Sequence, residues 1–106
     1  MSFGLPDSLL ANLVKAFSLH KSIAEVKIFG SRAIGNYRKG SDIDLCLFGN
    51  DLKYEEIKRI KMELEELITP YFFDVCHYER LDSNSLKDHT DRIGVELYCN
   101  ELQKFV

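Results

Sequence analysis

Apolar residues recur along this chain with two different periods, and the alternation between them outlines the fold. Leu9, Leu10, Leu13, Val14 and Phe17 are spaced as one face of a helix, behind Pro6 and Asp7 as start signals. Glu25–Phe29 alternates polar and apolar, which predicts a strand, and Gly30 ends it. Gly35, Asn36 and Gly40 then mark a turn-rich loop. Residues 42–48 read as a second strand stopped by Gly49 and Asn50. Tyr54, Ile57, Ile60, Leu64, Leu67 and Ile68 form the apolar stripe of a longer helix, closed by Pro70. The other face of that helix is Lys and Glu, with Lys58, Arg59 and Lys61 read as solvated charges.

Residues 71–77, rich in aromatic and branched side chains, predict a third strand. Asp82 or Ser83 then caps a short helix carrying Leu86, His89 and Ile93 on one side, with Gly94 as its C-terminal cap. Residues 95–98 can add an edge strand. Strands interleaved with helices predict an α/β (α+β) domain, a mixed β-sheet with helices largely on one face. The strand order does not follow from this pattern. With two prolines, no repeat and no low-complexity tract, residues 1–106 read as one domain.

Composition narrows the function. No apolar run approaches the roughly 20 residues of a membrane-spanning helix, and the first residues show no secretory pattern, so a cytoplasmic protein without membrane partners is expected. The net charge of −3, from 14 basic and 17 acidic residues, argues against binding to bulk nucleic acid, which favours a basic surface. Cys46, Cys76 and Cys99 include no C-x-x-C pair and read as packing residues rather than a disulfide framework or zinc site. His20, His77 and His89 are scattered, with His89 expected to pack and His77 placed by nothing in its spacing.

Chemistry concentrates in residues 29–45. Side chains two apart on a strand face the same way, so Asp42 and Asp44 project together while Ile43, Leu45 and Leu47 face the core. Two such carboxylates ~4 Å apart repel by about 4 kcal/mol at an effective dielectric near 20. Either one carboxyl titrates upward or a cation offsets the pair. Hard divalent ions such as magnesium take carboxylate oxygens and share their shell with substrate phosphates. A third carboxylate is available in Asp74, the only charged residue of its apolar strand and costly there unless paired or ligating. Asp42, Asp44 and Asp74 are therefore the candidate catalytic and metal-binding residues of a two-metal site. Gly30 lets backbone approach a ligand, and Ser31, if it opens a short helix, offers a hydroxyl and N–H groups to an anion. Arg32, Arg38 and Lys39 lie in the same region as candidate offsets for phosphate charge. No Gly-Lys-Ser/Thr follows, so this is not a Walker loop.

The combination Gly30-Ser31-Arg32-Ala33-x-Gly35, then Ser41-Asp42-Ile43-Asp44-Leu45, then Asp74, resembles the minimal nucleotidyltransferase (MNT) family of the DNA polymerase β-like superfamily. The resemblance implies a polymerase β-like fold, two Mg²⁺ (or Mn²⁺) ions on Asp42, Asp44 and Asp74, and ATP or another nucleoside triphosphate as co-substrate. It implies nucleotide contacts from Gly30, Ser31, Arg32 and Ser41. It further implies a HEPN-type helical partner in a toxin–antitoxin pair, with AMP transferred from ATP to a tyrosine of that partner. Many members carry a basic residue where this chain has Ile34, so a phosphate contact made there is absent or must come from Arg32 or Arg38. Two alternatives stand beside this reading: a non-catalytic module that neutralises the HEPN partner by binding, and a small-molecule nucleotidyltransferase.

Overall fold

The structure is a computed structural model that describes residues 3–38, 40–67 and 69–100. Lys39, expected near phosphate, and Ile68, expected in the apolar stripe, lie outside the described residues. The elements run α1 (Asp7–Ser18), β1 (Glu25–Phe29), α2 (Ser31–Ile34), β2 (Ile43–Phe48), α3 (Tyr54–Glu65), β3 (Phe73–His77), α4 (Asn84–Ile93) and β4 (Val95–Cys99). The four strands form one sheet in the order β3-β2-β1-β4. β1 is antiparallel to both β2 and β4, whereas β2 and β3 are parallel. The parallel pair needs a crossover, and α3 supplies it.

Each strand sends alternate residues to opposite faces. Val26 and Ile28 of β1, Ile43, Leu45 and Leu47 of β2, and Val75 of β3 are buried on one face. Leu9, Leu13 and Phe17 of α1 and Ile57, Ile60 and Leu64 of α3 join them in one core cluster. The predicted stripes are thus the core-forming faces, with two trims. Val14 is partly exposed, and Tyr54, at the first position of α3, is mostly exposed. His20 follows α1 and fastens it to α3: its Nδ1 lies 3.1 Å from Glu56 and its Nε2 2.8 Å from Glu63. Lys58, Arg59 and Lys61 are exposed, as the charge pattern predicts.

The short helix α4 packs on the opposite face of the sheet. His89 meets Phe29 edge-on with ring centroids 6.1 Å apart. Ser83, rather than Asp82, caps this helix, its hydroxyl accepting from Leu86 N–H at 3.2 Å. Gly94 ends it in extended backbone (φ −60°, ψ 137°), not the left-handed conformation usual for a terminal glycine. Glycine is needed there for space, because a Cβ would strike the Thr90 carbonyl and crowd the Lys27 side chain at 3.1 Å. β4 then forms the sheet edge beside β1, with a register shift between Val26 and Lys27. Among the described residues no helix is long and apolar enough to cross a membrane.

Phe17 is fully buried and contacts Tyr98 of β4, ring centroids 6.1 Å apart. Phe17→Ala is therefore expected to cost about 3–5 kcal/mol in urea unfolding. Leu19→Ala, at a residue 73% exposed, should change stability by no more than about 0.5 kcal/mol.

Candidate active site

The strand directions bring three chain segments to one end of the sheet. β1 finishes where β2 begins, because they are antiparallel, and β3 begins beside β2, because they are parallel. Phe29 lies opposite Asp44, and Asp44 lies opposite Asp74. Burial of Ile43, Leu45 and Leu47 turns Asp44 to the other face. Asp74, its in-register neighbour, shares that face. Asp42 is exposed one residue before β2, so the regular strand starts later than the pattern predicts. β3 likewise begins at Phe73, not at residue 71.

Asp44 feels the other two aspartates. Burial raises the Asp44 carboxyl above its ordinary value, and the Asp74 and Asp42 carboxylates push it further up. Arg32 and His89 pull in the opposite direction without cancelling the rise. This is the mark of a carboxylate cluster short of positive charge, and its hard oxygen donors suit a magnesium-like ion. Among the described residues no three His, Cys, Asp or Glu side chains are grouped so that they could hold a metal ion between them.

Gly30 lies directly against the Asp44 carboxylate. Its backbone (φ 71°, ψ −151°) lies in a region essentially reserved for glycine. A Cβ on Gly30 would collide with Asp44 Oδ2. The residue therefore permits both the sharp exit from β1 and the placing of the Asp44 carboxylate. Ser31 opens the single turn of α2, half-buried and adjoining this contact.

Arg32 departs from the expected phosphate contact. It is only 2% exposed, and its guanidinium donates to the backbone carbonyls of Phe3 (2.9 Å) and Ser41 (2.8 and 3.2 Å). The guanidinium is thus engaged by the protein's own backbone, and its charge acts on Asp44 through space. Ser41 is likewise engaged in the loop, its Oγ accepting from Arg38 N–H at 2.8 Å and its own N–H donating to Arg38 O at 3.0 Å. Arg38 and Ile34 are exposed.

Three other residues sit where spacing could not place them. His89 reaches the aspartate-bearing face from α4, close enough to act on Asp44. Cys46 and Cys76, 30 positions apart in the sequence, are in-register neighbours one step beyond Asp44 and Asp74 on the same face. The hydrogen bond to Cys76 and burial push the Cys46 thiol upward, keeping it protonated. His77 is buried at the far end of β3, its Nε2 2.8 Å from the Gly49 carbonyl, and takes no part in the site. The alternating strand pattern held the cysteine signal, but only strand order makes it readable.

This arrangement, a Gly-Ser turn after one strand and aspartates on the next two, is that of a nucleotidyltransferase. The sequence profile described as "Polymerase beta, Nucleotidyltransferase" matches residues 11–103, and the chain belongs to that family. No curated protein sequence matches the chain. Among solved structures, a toxin–antitoxin complex with AMP-PNP superimposes with a TM-score of 0.70 at 18% identity, over 93% of this chain and 77% of the other. A candidate minimal nucleotidyltransferase matches with a TM-score of 0.68 at 26% identity, over 90% and 95% of the two chains. A complex of tri-AMPylated HEPN toxin with MNT antitoxin from Shewanella oneidensis gives a TM-score of 0.67 at 15% identity, over 92% and 75%. The fold is that of the minimal nucleotidyltransferases.

The raised Asp44 carboxyl carries a stability consequence. Between the ordinary carboxylate value and the raised one, the native state holds a proton that the unfolded chain has released, so stability falls as pH rises through that window. Asp44→Asn is expected to raise the thermal midpoint at neutral pH in chelator-treated buffer. The gain should vanish below the ordinary carboxylate range, and a variant less stable than the native chain at neutral pH contradicts the assignment. Gly30→Ala should lower stability by about 1–3 kcal/mol from backbone strain alone, and shift the Asp44 resonances in NMR spectra.

Proposed function

We propose that this chain transfers AMP from ATP to a hydroxyl of a partner protein, the acceptor being a tyrosine of a HEPN-type helical protein, and that it serves as the antitoxin of that pair. The observation that carries the reading is the in-register pairing of Asp44 with Asp74 against the Gly30 turn. Membership of the polymerase beta family supports nucleotide transfer. The likeness to a toxin–antitoxin complex with AMP-PNP and to an AMPylated HEPN–MNT complex supports the donor and the partner.

In this reading Asp42 and Asp44 would hold two Mg²⁺ ions, with Mn²⁺ as a substitute, and Asp74 would share one of them. When bound, such ions lower the pKa of an attacking hydroxyl and offset the charge of the triphosphate and departing pyrophosphate. Asp74, exposed at the β3 start, accepts the proton of the acceptor hydroxyl. The Gly30–Ser31 turn receives the phosphates through backbone N–H groups and the Ser31 hydroxyl. Ser41 and Arg32 serve the loop that carries Asp42. A nucleoside triphosphate donor fits a cytoplasmic setting.

The test is transfer of label from α-³²P-ATP to the product of the adjacent gene in the presence of Mg²⁺. The Asp42→Asn, Asp44→Asn double variant is expected to lower labelling at least about a thousandfold, since metal-borne charge stabilisation contributes several kcal/mol. Undiminished labelling by the double variant would remove the mechanism. Undiminished neutralisation of the partner by an unlabelling variant would establish a binding module instead.

A further inference from the structure

We infer that Arg32 is a positioning residue that fixes the peptide leading into Asp42, and thereby the metal-binding geometry of the site. The inference deepens the function proposed above and rests on it. Arg32 is the one arginine or lysine buried among the described residues. Burying a guanidinium costs several kcal/mol unless its donors are satisfied, and no carboxylate pairs with this one among the described residues. Its partners are backbone oxygens and aromatic faces.

Nη1 donates to Phe3 O at 2.9 Å, while Nη2 and Nε converge on Ser41 O at 2.8 and 3.2 Å. The rings of Tyr37 and Tyr71 each lie 5.0 Å from the guanidinium carbon. The planar group is thus held from its edge by three hydrogen bonds and contacted by two rings. Its anchors come from the N-terminal segment, the loop before β2 and the entry to β3.

The Ser41 carbonyl belongs to the same peptide unit as the Asp42 N–H. Two donors on that oxygen fix the plane of the peptide. The paired positions of β2 begin at Asp44 against β1 and at Ile43 against β3, so the ladder itself does not secure Asp42. Arg32 also follows Ser31 directly in α2. One side chain therefore sets the spacing between the turn assigned to phosphate and the carboxylate assigned to metal. Lysine has neither the fork nor the flat face this requires.

The test uses the full chain with Arg32→Gln and Arg32→Lys, and reads Mn²⁺ binding, ATP binding without divalent metal, and amide hydrogen exchange. Both variants are expected to weaken Mn²⁺ binding about tenfold or more, the scale of lost hydrogen bonds to a charged group. Metal-free ATP affinity should stay unchanged. Exchange at the Ser41 amide should rise while Val26 and Leu45 keep native protection.

Loss of metal-free ATP affinity with Mn²⁺ binding intact would make Arg32 a phosphate ligand and overturn the inference. A uniform rise in exchange with native Mn²⁺ affinity would make its role one of general stability and overturn it equally. If the Arg32 variants do not fold, Tyr71→Leu removes one ring and should give the same pattern at smaller amplitude; native Mn²⁺ affinity and native Ser41 exchange in that variant refute the inference. Asp42→Asn separates the two readings: if it leaves Mn²⁺ binding untouched, the metal assignment fails, while Ser41 exchange in the Arg32 variants still reports on positioning.

Discussion

The two-residue alternation of β2 is the constraint from which the site follows. Ile43, Leu45 and Leu47 are fully buried, and each such side chain contributes about 1.5–3 kcal/mol when removed from water. A slip of one residue would move all three to the open face, so the core fixes which way the strand faces. Asp44, lying between two of them, has no freedom to point elsewhere. Parallel pairing with β3 then sets Asp74 beside it in register. Asp44 and Asp74 are aimed by hydrophobic burial on the far side of the sheet, and residues on strands are held more firmly than those on loops.

The parts of the fold governed by local periodicity were legible in the sequence. The stripes of α1 and α3 and the alternation of β1 and β2 are short-range patterns, and they mark the residues that fill the core. Asp42, Asp44 and Asp74 stood out because a charge within an apolar strand demands a reason. What escaped was whatever depends on strand order. Cys46 and Cys76 meet only because β2 and β3 are parallel neighbours in register. His89 reaches Asp44 only because α4 crosses to the face opposite α1 and α3.

The burial of Arg32 is hidden from the sequence for a different reason. An arginine in a glycine-rich loop beside aspartates suggests solvent and phosphate, since arginine is rarely buried. Its partners, Phe3 and Tyr71, are 29 and 39 positions away, and nothing local announces them. The contrast with His20 is instructive. That residue is also buried and polar, yet it joins two helices of the core and lies away from the aspartates. These two buried polar residues thus differ in setting, His20 tying helices together and Arg32 tying the loop before β2 to the N-terminal segment.

The placement of α4 has a consequence for how anything reaches the aspartates. It lies over the β1 side of their face, with His89 against Phe29. The β3 side is the sheet border and carries Phe72, 75% exposed, just ahead of the strand. Among the described residues, the face that carries Asp44 and Asp74 is therefore covered by a helix along its β1 side and ends in an edge strand on the other.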